Sequence, residues 1–233
     1  MLTRILVTTV LLTSTAAALT SMGPPTTKMQ KGQVAFSSLI NWSVNDVVDT
    51  TGGVKTYYNN IILESALAGL HVGLDSDRVE LYGLLGGGGI ANSGLAVDSE
   101  DVWTSSMRIS GGGGLRVTTN LGGSLSWGFV AQTVYYTDDI VEGFDTQLAL
   151  GPCWRPRMGK RTQNTALLYG GPMFHFINGT GRKDYVYSLR ERDWFGLYIG
   201  GGVEVFEGKM TLAIEEQVTA SAYGGSLYIK LRF

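Results

Sequence analysis

The sequence is poor in the residues that mark several common classes of protein. Cys153 is the only cysteine among 233 residues, so the chain cannot carry an internal disulfide framework. Its 18 lysine and arginine residues are outnumbered by 20 aspartate and glutamate residues, and the net charge of −2 offers no basic surface for nucleic acid. No motif predicts a metal ion or a cofactor. We therefore expect a protein that has no nucleic-acid partner, no bound metal ion and no cofactor.

A hydrophobic segment of membrane-spanning length is also missing. Residues 1–4 are basic in character, residues 5–12 are apolar, and Ala16 and Ala18 occupy the small-residue positions of an A-x-A cleavage site. Threonine and serine residues interrupt the apolar run before it reaches the ~20 residues that a spanning helix needs. The pattern predicts a secretory signal peptide over residues 1–18, with a membrane anchor as the alternative.

Glycine and alternating polarity are abundant. The chain has 33 glycines without the period of collagen, and polar and apolar residues alternate along ten segments, as they do in strands with one apolar face. These segments have about the length that a tilted strand needs to cross a bilayer. They are residues 33–44, 61–74, 78–91, 106–118, 124–136, 144–155, 165–177, 194–206, 209–219 and 223–233.

The connections between these segments indicate how the strands are joined. Four connections are short and the other five are mostly longer, which is typical of an up-and-down outer-membrane barrel. A closed barrel satisfies every backbone group in a membrane without a helix. The sequence therefore predicts an all-β, antiparallel transmembrane barrel of about ten strands, or eight as the alternative, over residues 32–233, preceded by a periplasmic N-terminal segment, residues 19–31. A soluble β-sandwich or lipocalin-like binder is the competing class.

The last strand carries a family resemblance. Its apolar residues share one face and its polar residues the other. This ending resembles the C-terminal strand of bacterial outer-membrane β-barrels, in which a terminal phenylalanine after alternating apolar residues is the assembly signal. The glycine-rich hairpin over residues 201–215 resembles those of OmpA/OmpW-like small barrels. The resemblance implies a Gram-negative outer membrane, lipid and lipopolysaccharide as surroundings, the barrel-assembly machinery as a partner, and a monomer. The apolar residues are Leu227, Ile229, Leu231 and Phe233.

Charged residues fall on the face that would line the lumen. A hairpin through residues 207–208 would place Glu204 opposite Thr211, and a compact last turn would bring Arg232 beside the same threonine. Two readings of these charges are open: an ion path, or paired charges that fill a narrow lumen, which mixed signs on neighbouring strands favour. The predicted network comprises Glu80, Arg108, Arg116, Glu204, Glu215, Lys230 and Arg232, with Glu80 near Arg116 and with Glu204, Glu215, Lys230 and Arg232 in one group.

Several features depart from a uniform strand pattern. Pro152 and Pro172 lie inside predicted strands, where we expect bulges or local ends because proline lacks the ladder donor. Glu216 falls on the apolar face of its strand, which indicates a register shift or a position near the rim. Glycine runs such as residues 111–114 and 200–202 are flanked by strands and not by a helix. We interpret them as relief of crowding, either where a narrow barrel curves sharply or where large inward side chains need room.

Enzymatic readings find little support in the sequence. Omptin proteases also have ten strands, but they need an Asp-x-His motif, and His175 has no aspartate two residues before it. Lipid A deacylases use a His-x-Ser arrangement, which neither His71 nor His175 provides. We therefore expect a protein that is not an enzyme, with an omptin-like or deacylase-like hydrolase as a disfavoured alternative.

The charged connection over residues 178–193 is the candidate for outside contacts, because loops on a rigid scaffold usually carry binding. A solvated loop beside lipopolysaccharide is the alternative reading. We expect a structural or surface-interaction role for the protein, with a narrow passive pore for small solutes or a small apolar ligand as the alternative. The candidate contact residues are Arg182, Lys183, Tyr185, Tyr187, Arg190 and Arg192.

Overall fold

The computed structural model describes residues 20–91, 108–137, 141–159, 164–181 and 188–233, so the predicted signal peptide lies outside the described residues. Within those ranges, no helix is long and apolar enough to cross a membrane. The strands are β1 (Val34–Asp49), β2 (Thr56–Asp75), β3 (Val79–Ala91), β4 (Arg108–Gly122), β5 (Leu125–Thr137), β6 (Val141–Trp154), β7 (Thr165–Gly181), β8 (Ser188–Glu191), β9 (Phe195–Val205), β10 (Met210–Thr219) and β11 (Ala222–Arg232).

Ten of these strands form a closed antiparallel barrel. Each pairs with the next one along the chain, except that β7 pairs with β9, and β11 closes the barrel by pairing with β1. The connections β2–β3, β4–β5, β6–β7 and β9–β10 lie at the end where β1 begins and β11 ends. In outer-membrane barrels the end with short turns is the periplasmic one. The predicted ten-stranded up-and-down barrel is confirmed.

The pairing register fixes the tilt of the strands. Thr165 in β7 pairs with Glu204 in β9. Following the paired residues from there through β10, β11, β1, β2, β3, β4 and β5 leads to Asp145 in β6, which pairs with Ile177 in β7. Ile177 is 12 residues beyond Thr165, so the barrel has a shear of 12. For ten strands this shear corresponds to a tilt of about 40°. The lumen is therefore wider than that of an eight-stranded barrel, whose side chains just fill it.

Strand β8 bridges two strands at the extracellular end. It pairs with the last residues of β1 and of β7, and the amide of Ser188 donates a hydrogen bond to the Asp49 carboxylate over 2.9 Å. The predicted segments 33–44 and 61–74 left a polar connection over residues 45–60, and this extent was wrong, since β1 continues to Asp49 and β2 begins at Thr56. Polar residues in this stretch resemble a loop in sequence, but Asn45 and Asp49 face a polar lumen, where strand residues are polar as well.

The outer face of the barrel is an apolar belt with aromatic side chains towards both ends. On β5, Trp127 lies at the periplasmic end of the belt and Tyr135 towards the extracellular end. These two residues are eight positions apart, which at ~3.3 Å per residue and a tilt of about 40° is roughly 20 Å along the barrel axis. That height suits the hydrocarbon layer of an outer membrane. Exposed aromatic residues of the belt include Phe36, Trp127, Phe129, Phe144, Trp154, Trp194, Phe195 and Tyr223.

Two of the glycine runs make room for inward tyrosines, which is the second of the two expected roles. A side chain at Gly200 would overlap the ring of Tyr169 from the paired strand. A side chain at Gly114 would overlap the hydroxyl end of Tyr82 in the same way. These glycines therefore let large aromatic rings lie flat against the inside of the wall.

The two prolines interrupt one ladder without shifting its register. The β6–β7 pairing stops after Ala149↔Met173 and resumes at Cys153↔Tyr169, so the break covers both prolines and the expected local end is present. The expected register shift at Glu216 is absent, because β10 pairs continuously with both of its neighbours. Glu216 instead points outward between Ile214 and Val218, which are 43% and 51% exposed.

Replacing Phe233 by aspartate should reduce the amount of folded barrel. The amide of Phe233 donates to the carbonyl of Val34 over 3.0 Å, and its ring packs edge-on against Phe36 with 5.8 Å between centroids, so the residue joins the two strands that close the barrel. The amount of folded protein is measured by heat-modifiable migration on gels. Phe206→Asp, which changes an exposed aromatic residue in the β9–β10 turn, is the control. Equal folded amounts for Phe233→Asp and wild type would contradict this role.

Replacing Glu216 by leucine should stabilise the barrel in lipid. A charged residue on the lipid-facing side of a barrel is destabilising, and for a carboxylate we expect a gain of about 1–2 kcal/mol in the free energy of unfolding on its removal. Urea titration of the purified barrel in lipid vesicles measures this change. Ile214→Leu, on the same face of β10, should have little effect. A loss of stability in Glu216→Leu would mean that the carboxylate has a favourable partner in the membrane.

Candidate functional site

The lumen is occupied by a segment of the chain itself. Residues 20–33, called the N-terminal segment from here on, lead into β1, and Ser21, Met22, Thr26 and Thr27 are at most 4% exposed. The periplasmic placement expected for residues 19–31 is therefore corrected: the described residues 20–27 lie inside the barrel. The physical reason is that a lumen of ten strands leaves space that wall side chains do not fill.

The N-terminal segment enters the barrel from the periplasmic end. The carbonyl of Met29 accepts a hydrogen bond from the amide of Asp77 in the β2–β3 turn over 2.9 Å. The amide of Gly32 donates to the carbonyl of Gly73 in β2 over 2.8 Å. These backbone contacts fix the segment at the rim before it turns into the lumen.

In the periplasmic half of the lumen, one carboxylate holds three basic side chains. Glu80 accepts a hydrogen bond from Lys230 Nζ over 2.7 Å, lies 2.7 Å from His71 Nδ1 and binds the guanidinium of Arg116. Arg116 also donates to the carbonyl of Met22. These side chains, called the Glu80 cluster, therefore link four strands of the wall, β2, β3, β4 and β11, to the N-terminal segment.

Nearer the periplasmic rim, Glu204 forms a second cluster. Its carboxylate lies 3.1 Å from Lys28 Nζ, 3.2 Å from Arg155 Nε and 3.9 Å from Arg232 Nη2. Arg155 also donates to the carbonyl of Thr26 over 3.2 Å. In the Glu204 cluster, as in the Glu80 cluster, an arginine from the wall binds both a glutamate and the backbone of the N-terminal segment.

Towards the extracellular end, the lumen becomes acidic. The amide of Met22 donates to Glu215 Oε1 over 3.0 Å, and the hydroxyl of Thr20 donates to Asp145 Oδ2 over 2.9 Å. No lysine or arginine of the described ranges forms an ion pair with either carboxylate. The upper lumen therefore holds two buried acidic side chains that are bound only by neutral groups and by His175, whose Nε2 lies 3.0 Å from Asp145 Oδ1.

Two predicted cross-strand pairs are confirmed by the register. Glu80 lies directly opposite Arg116 between β3 and β4. Glu204 lies opposite Thr211 across the β9–β10 hairpin. The second prediction needed only the length of the β9–β10 turn. The first needed the short turns that follow β2 and β4, because they place the periplasmic ends of β3 and β4 side by side.

The predicted position of Arg232 was wrong. Lys230 lies opposite Thr211, because the β10–β11 turn contains only residues 220–221. The predicted single group of four charges is consequently divided: Lys230 belongs to the Glu80 cluster and Arg232 to the Glu204 cluster. Glu215, the fourth member, lies apart from both clusters in the acidic upper lumen.

One residue was wrongly predicted to lie in the lumen, and two charged residues of the lumen were not predicted. Arg108 was expected in the lumen but is exposed at the first position of β4. Arg155 was missed although it is the last residue of the predicted segment 144–155, and alternation from Cys153 places it on the inward face. Lys28 gave no signal at all, since it lies outside every strand.

The candidate contact residues are only partly described. Arg182, Lys183, Tyr185 and Tyr187 lie outside the described residues. Arg190 is exposed in β8, and Arg192 is exposed with its guanidinium 5.6 Å from the ring centroid of Tyr57. The two arginines therefore lie on the extracellular rim, and Arg192 lies beside the beginning of β2.

A hydrogen-bonded chain of Ser37, His71 and Glu80 resembles a nucleophile, base and acid. Ser37 Oγ lies 2.7 Å from His71 Nε2, and His71 Nδ1 lies 2.7 Å from Glu80 Oε1. Catalysis also needs an accessible nucleophile and free oxyanion donors. Ser37 is only 7% exposed, and the nearby cations Arg116 and Lys230 already bind Glu80. The three side chains therefore satisfy one another's buried polar atoms.

Comparisons with known proteins give three solved structures that are similar to this chain at low sequence identity. No protein-family model matches the sequence, and no curated protein matches it. An outer membrane channel from Pseudomonas putida F1 is similar at 11% identity and a TM-score of 0.45, with 92% of this chain and 100% of that chain covered. The translocator domain of the autotransporter NalP from Neisseria meningitidis has 12% identity, a TM-score of 0.38 and coverages of 88% and 90%. The attachment invasion locus protein Ail of Yersinia pestis has 9% identity, a TM-score of 0.28 and coverages of 88% and 100%.

The architecture defines the class of protein. A closed barrel of ten antiparallel strands, a polar lumen and an apolar outer belt flanked by aromatic residues together form a β-barrel of the outer-membrane type. Its distinguishing feature is the lumen, where the chain's own N-terminal segment meets two clusters of buried charge.

Replacing Glu80 by glutamine should strongly destabilise the barrel. The change leaves Arg116 and Lys230 buried without their counter-charge, which costs about 3–5 kcal/mol when one member of a buried pair is removed. Urea unfolding in detergent, followed by gel migration, measures the loss. Glu64→Gln, an exposed glutamate on β2, is the matched control and should leave unfolding nearly unchanged. Similar unfolding curves for both variants would refute the proposed importance of the cluster.

Proposed function

We propose that this protein is a non-enzymatic outer-membrane barrel with a structural or surface-interaction role, whose lumen is closed at rest. The observation that carries the proposal is the burial of residues 21–27 among the charges of the lumen wall. The segment fills the space along the barrel axis between the Glu204 cluster and Asp145. A barrel closed in this way acts through its outer surfaces and not through a constitutive pore.

The outer face supports a place in the outer membrane. Its apolar belt and aromatic flanks suit outer-membrane lipid, and the pairing of β1 with β11 leaves no free strand edge for another chain. We therefore propose a monomer that reaches the membrane after removal of its signal peptide and through the barrel-assembly machinery.

The extracellular rim supports a surface-interaction role. Strand β8 is held on both sides by β1 and β7, which gives Arg190 a firm base, and Arg192 rests over Tyr57. Exposed arginines at this height suit the phosphate groups of lipopolysaccharide, since guanidinium binds phosphate through paired hydrogen bonds. Arg182, Lys183, Tyr185 and Tyr187 belong to the same proposed contact surface on the ground of sequence alone.

A second candidate function is a narrow passage that opens when the N-terminal segment leaves the lumen. The observation that favours it is the nature of the contacts, because the segment is held by hydrogen bonds and ion pairs to Glu80, Glu204 and Glu215. Once the predicted signal peptide is removed, the segment would be covalently joined only at its periplasmic end. Such a segment can dissociate as a unit. The lumen it leaves would be narrow and lined by charge, which suits small solutes.

Planar-bilayer conductance tests both candidates. Wild-type protein should give no defined conductance steps, because the segment fills the lumen. A variant that lacks residues 20–28 should give small, regular steps if the second candidate is correct. A variant with a glycine–serine segment of equal length in place of residues 20–28 is the matched control, because it retains chain length but loses the side-chain contacts.

The outcomes separate the candidates. Large, steady conductance by the folded wild type would overturn the closed-barrel proposal. Silence of the deletion variant, with heat-modifiable migration retained as evidence of folding, would eliminate the passage and leave the surface role. Steps in the deletion variant alone would identify the N-terminal segment as the element that closes the lumen.

A further inference from the structure

A hollow of about 650 Å³ lies at the periplasmic mouth of the barrel, beside the N-terminal segment. Residues of the β4–β5 and β6–β7 connections form its walls, and its volume suits a small molecule. Three of the residues that line it are basic, and none of its described lining residues is acidic. The polar residues of the lining include Lys28, Asn120, Ser124, Arg155, Arg157 and Thr165.

The side chains around this hollow carry an excess of positive charge. The Glu204 cluster, two of whose cations line the hollow, contains three cations and one carboxylate, so two of its positive charges are not compensated within it. Arg157 adds a further positive charge to the lining. Asp77 and Glu207 line an adjoining hollow, together with Glu204 itself. The two hollows therefore differ in the sign of their charge, and the first one suits an anion.

The lining also offers hydrogen-bond donors. Lys28 Nζ carries three hydrogens and donates one of them to Glu204, and the Lys28 side chain is 41% exposed. The hydroxyl of Ser124 accepts a hydrogen bond from Trp154 Nε1 over 3.0 Å, so its own hydrogen is available to a ligand. Asn120 is exposed and adds a side-chain amide. A ligand in this hollow would therefore meet donors from both the wall and the N-terminal segment.

The two arginines of the lining differ in what they can contribute. Arg155 is buried, and its guanidinium already binds Glu204 and Thr26, so it supplies charge to the hollow more than contacts. Arg157 is exposed, and its backbone is held opposite Thr165 in an isolated β-bridge. Its guanidinium is therefore carried on a fixed backbone position and can contact a ligand directly.

We propose that this hollow, called the mouth site, binds an oxyanion, namely the phosphate or carboxylate group of a small molecule in the periplasm. Such a group brings negative charge and several acceptors, which complement the positive charge and the donors of the lining. The guanidinium of Arg157 can donate two parallel hydrogen bonds to one oxyanion. The ammonium group of Lys28 and the hydroxyl of Ser124 supply further donors.

The position of the mouth site favours a dissolved ligand over a lipid headgroup. Lys28 belongs to the N-terminal segment, and Ser126 and Arg155 lie on the inward face of the wall, so the site lies within the mouth of the lumen and not on the lipid-facing surface. An oxyanion held between Lys28 and Arg157 would join the segment to the wall, so ligand binding and retention of the segment would favour each other. This inference goes beyond the proposed function, because binding at the mouth site requires neither a surface role nor an open passage.

Isothermal titration calorimetry of the purified, folded barrel in a non-ionic detergent tests the proposal. Inorganic phosphate and succinate are the probes, and they are titrated at low ionic strength because salt screens exposed charges. We expect saturable binding of at least one probe, and the probe that binds identifies the oxyanion. Sodium chloride at the same ionic strength is the control for charge alone and should give no saturable signal.

Charge-neutral variants assign the binding to the mouth site. Arg157→Gln and Lys28→Gln should each weaken binding of the probe by about tenfold, because a hydrogen bond to a charged group is worth roughly that factor or more. Arg78→Gln changes an exposed arginine in the β2–β3 connection at the same end of the barrel, and as the matched control it should leave the affinity nearly unchanged. Heat-modifiable migration checks that each variant is folded.

Three results would overturn the proposal. They are the absence of saturable binding of both probes to the wild type, equal binding of chloride, and equal weakening by Arg78→Gln and Arg157→Gln. Bilayer conductance plays no part in these measurements, so the proposed function stands or falls separately.

Discussion

The width of a closed ten-stranded barrel is the constraint on which the rest of this structure depends. Ten strands with a shear of 12 residues enclose more space than wall side chains fill. The same wall sends charges inward, and a buried charge without a partner costs several kcal/mol. A backbone segment meets both demands, because it occupies volume and offers donors and acceptors together. Met22 illustrates the point: its carbonyl accepts from Arg116 and its amide donates to Glu215.

The lumen is layered by charge along its axis. Around Glu80 and Glu204, towards the periplasm, basic side chains outnumber the carboxylates. Around Asp145 and Glu215, towards the extracellular end, the excess is negative. Each lower cluster gains by binding carbonyl oxygens of the N-terminal segment, whereas the upper layer gains by binding its amides and hydroxyls. A backbone segment that runs through the lumen carries both hydrogen-bond donors and acceptors, so it can bind the basic side chains of one layer and the carboxylates of the other.

The sequence was sufficient for the barrel and insufficient for its contents. Alternation identified the ten strands, and the short β9–β10 turn fixed the pair of Glu204 with Thr211, because hairpin register is a local property. The pairing predicted for Arg232 was wrong, because a small error in the length of the β10–β11 turn shifts every pair between the two strands. Lys230, two residues before Arg232, is the residue opposite Thr211. The long extensions of β1 and β2 were read as loops because polar residues face solvent in a loop and face a polar lumen in a strand. The filling of the lumen depends on all strands at once, and no local pattern in the sequence encodes it.

The lack of a recognisable motif in the N-terminal segment follows from the way that it is held. Arg116 and Arg155 bind carbonyls of Met22 and Thr26, so these anchoring contacts reach backbone atoms that every residue carries. A specific residue is demanded at Gly23, which has a φ of +67° and whose missing Cβ would lie 3.1 Å from the ring of Tyr228. The strength with which the lumen is closed is therefore set mainly by the strands of the wall. Between two barrels of this architecture, one permanently closed and one able to open, we therefore expect the lumenal charges of the strands to differ and the N-terminal segment to differ little.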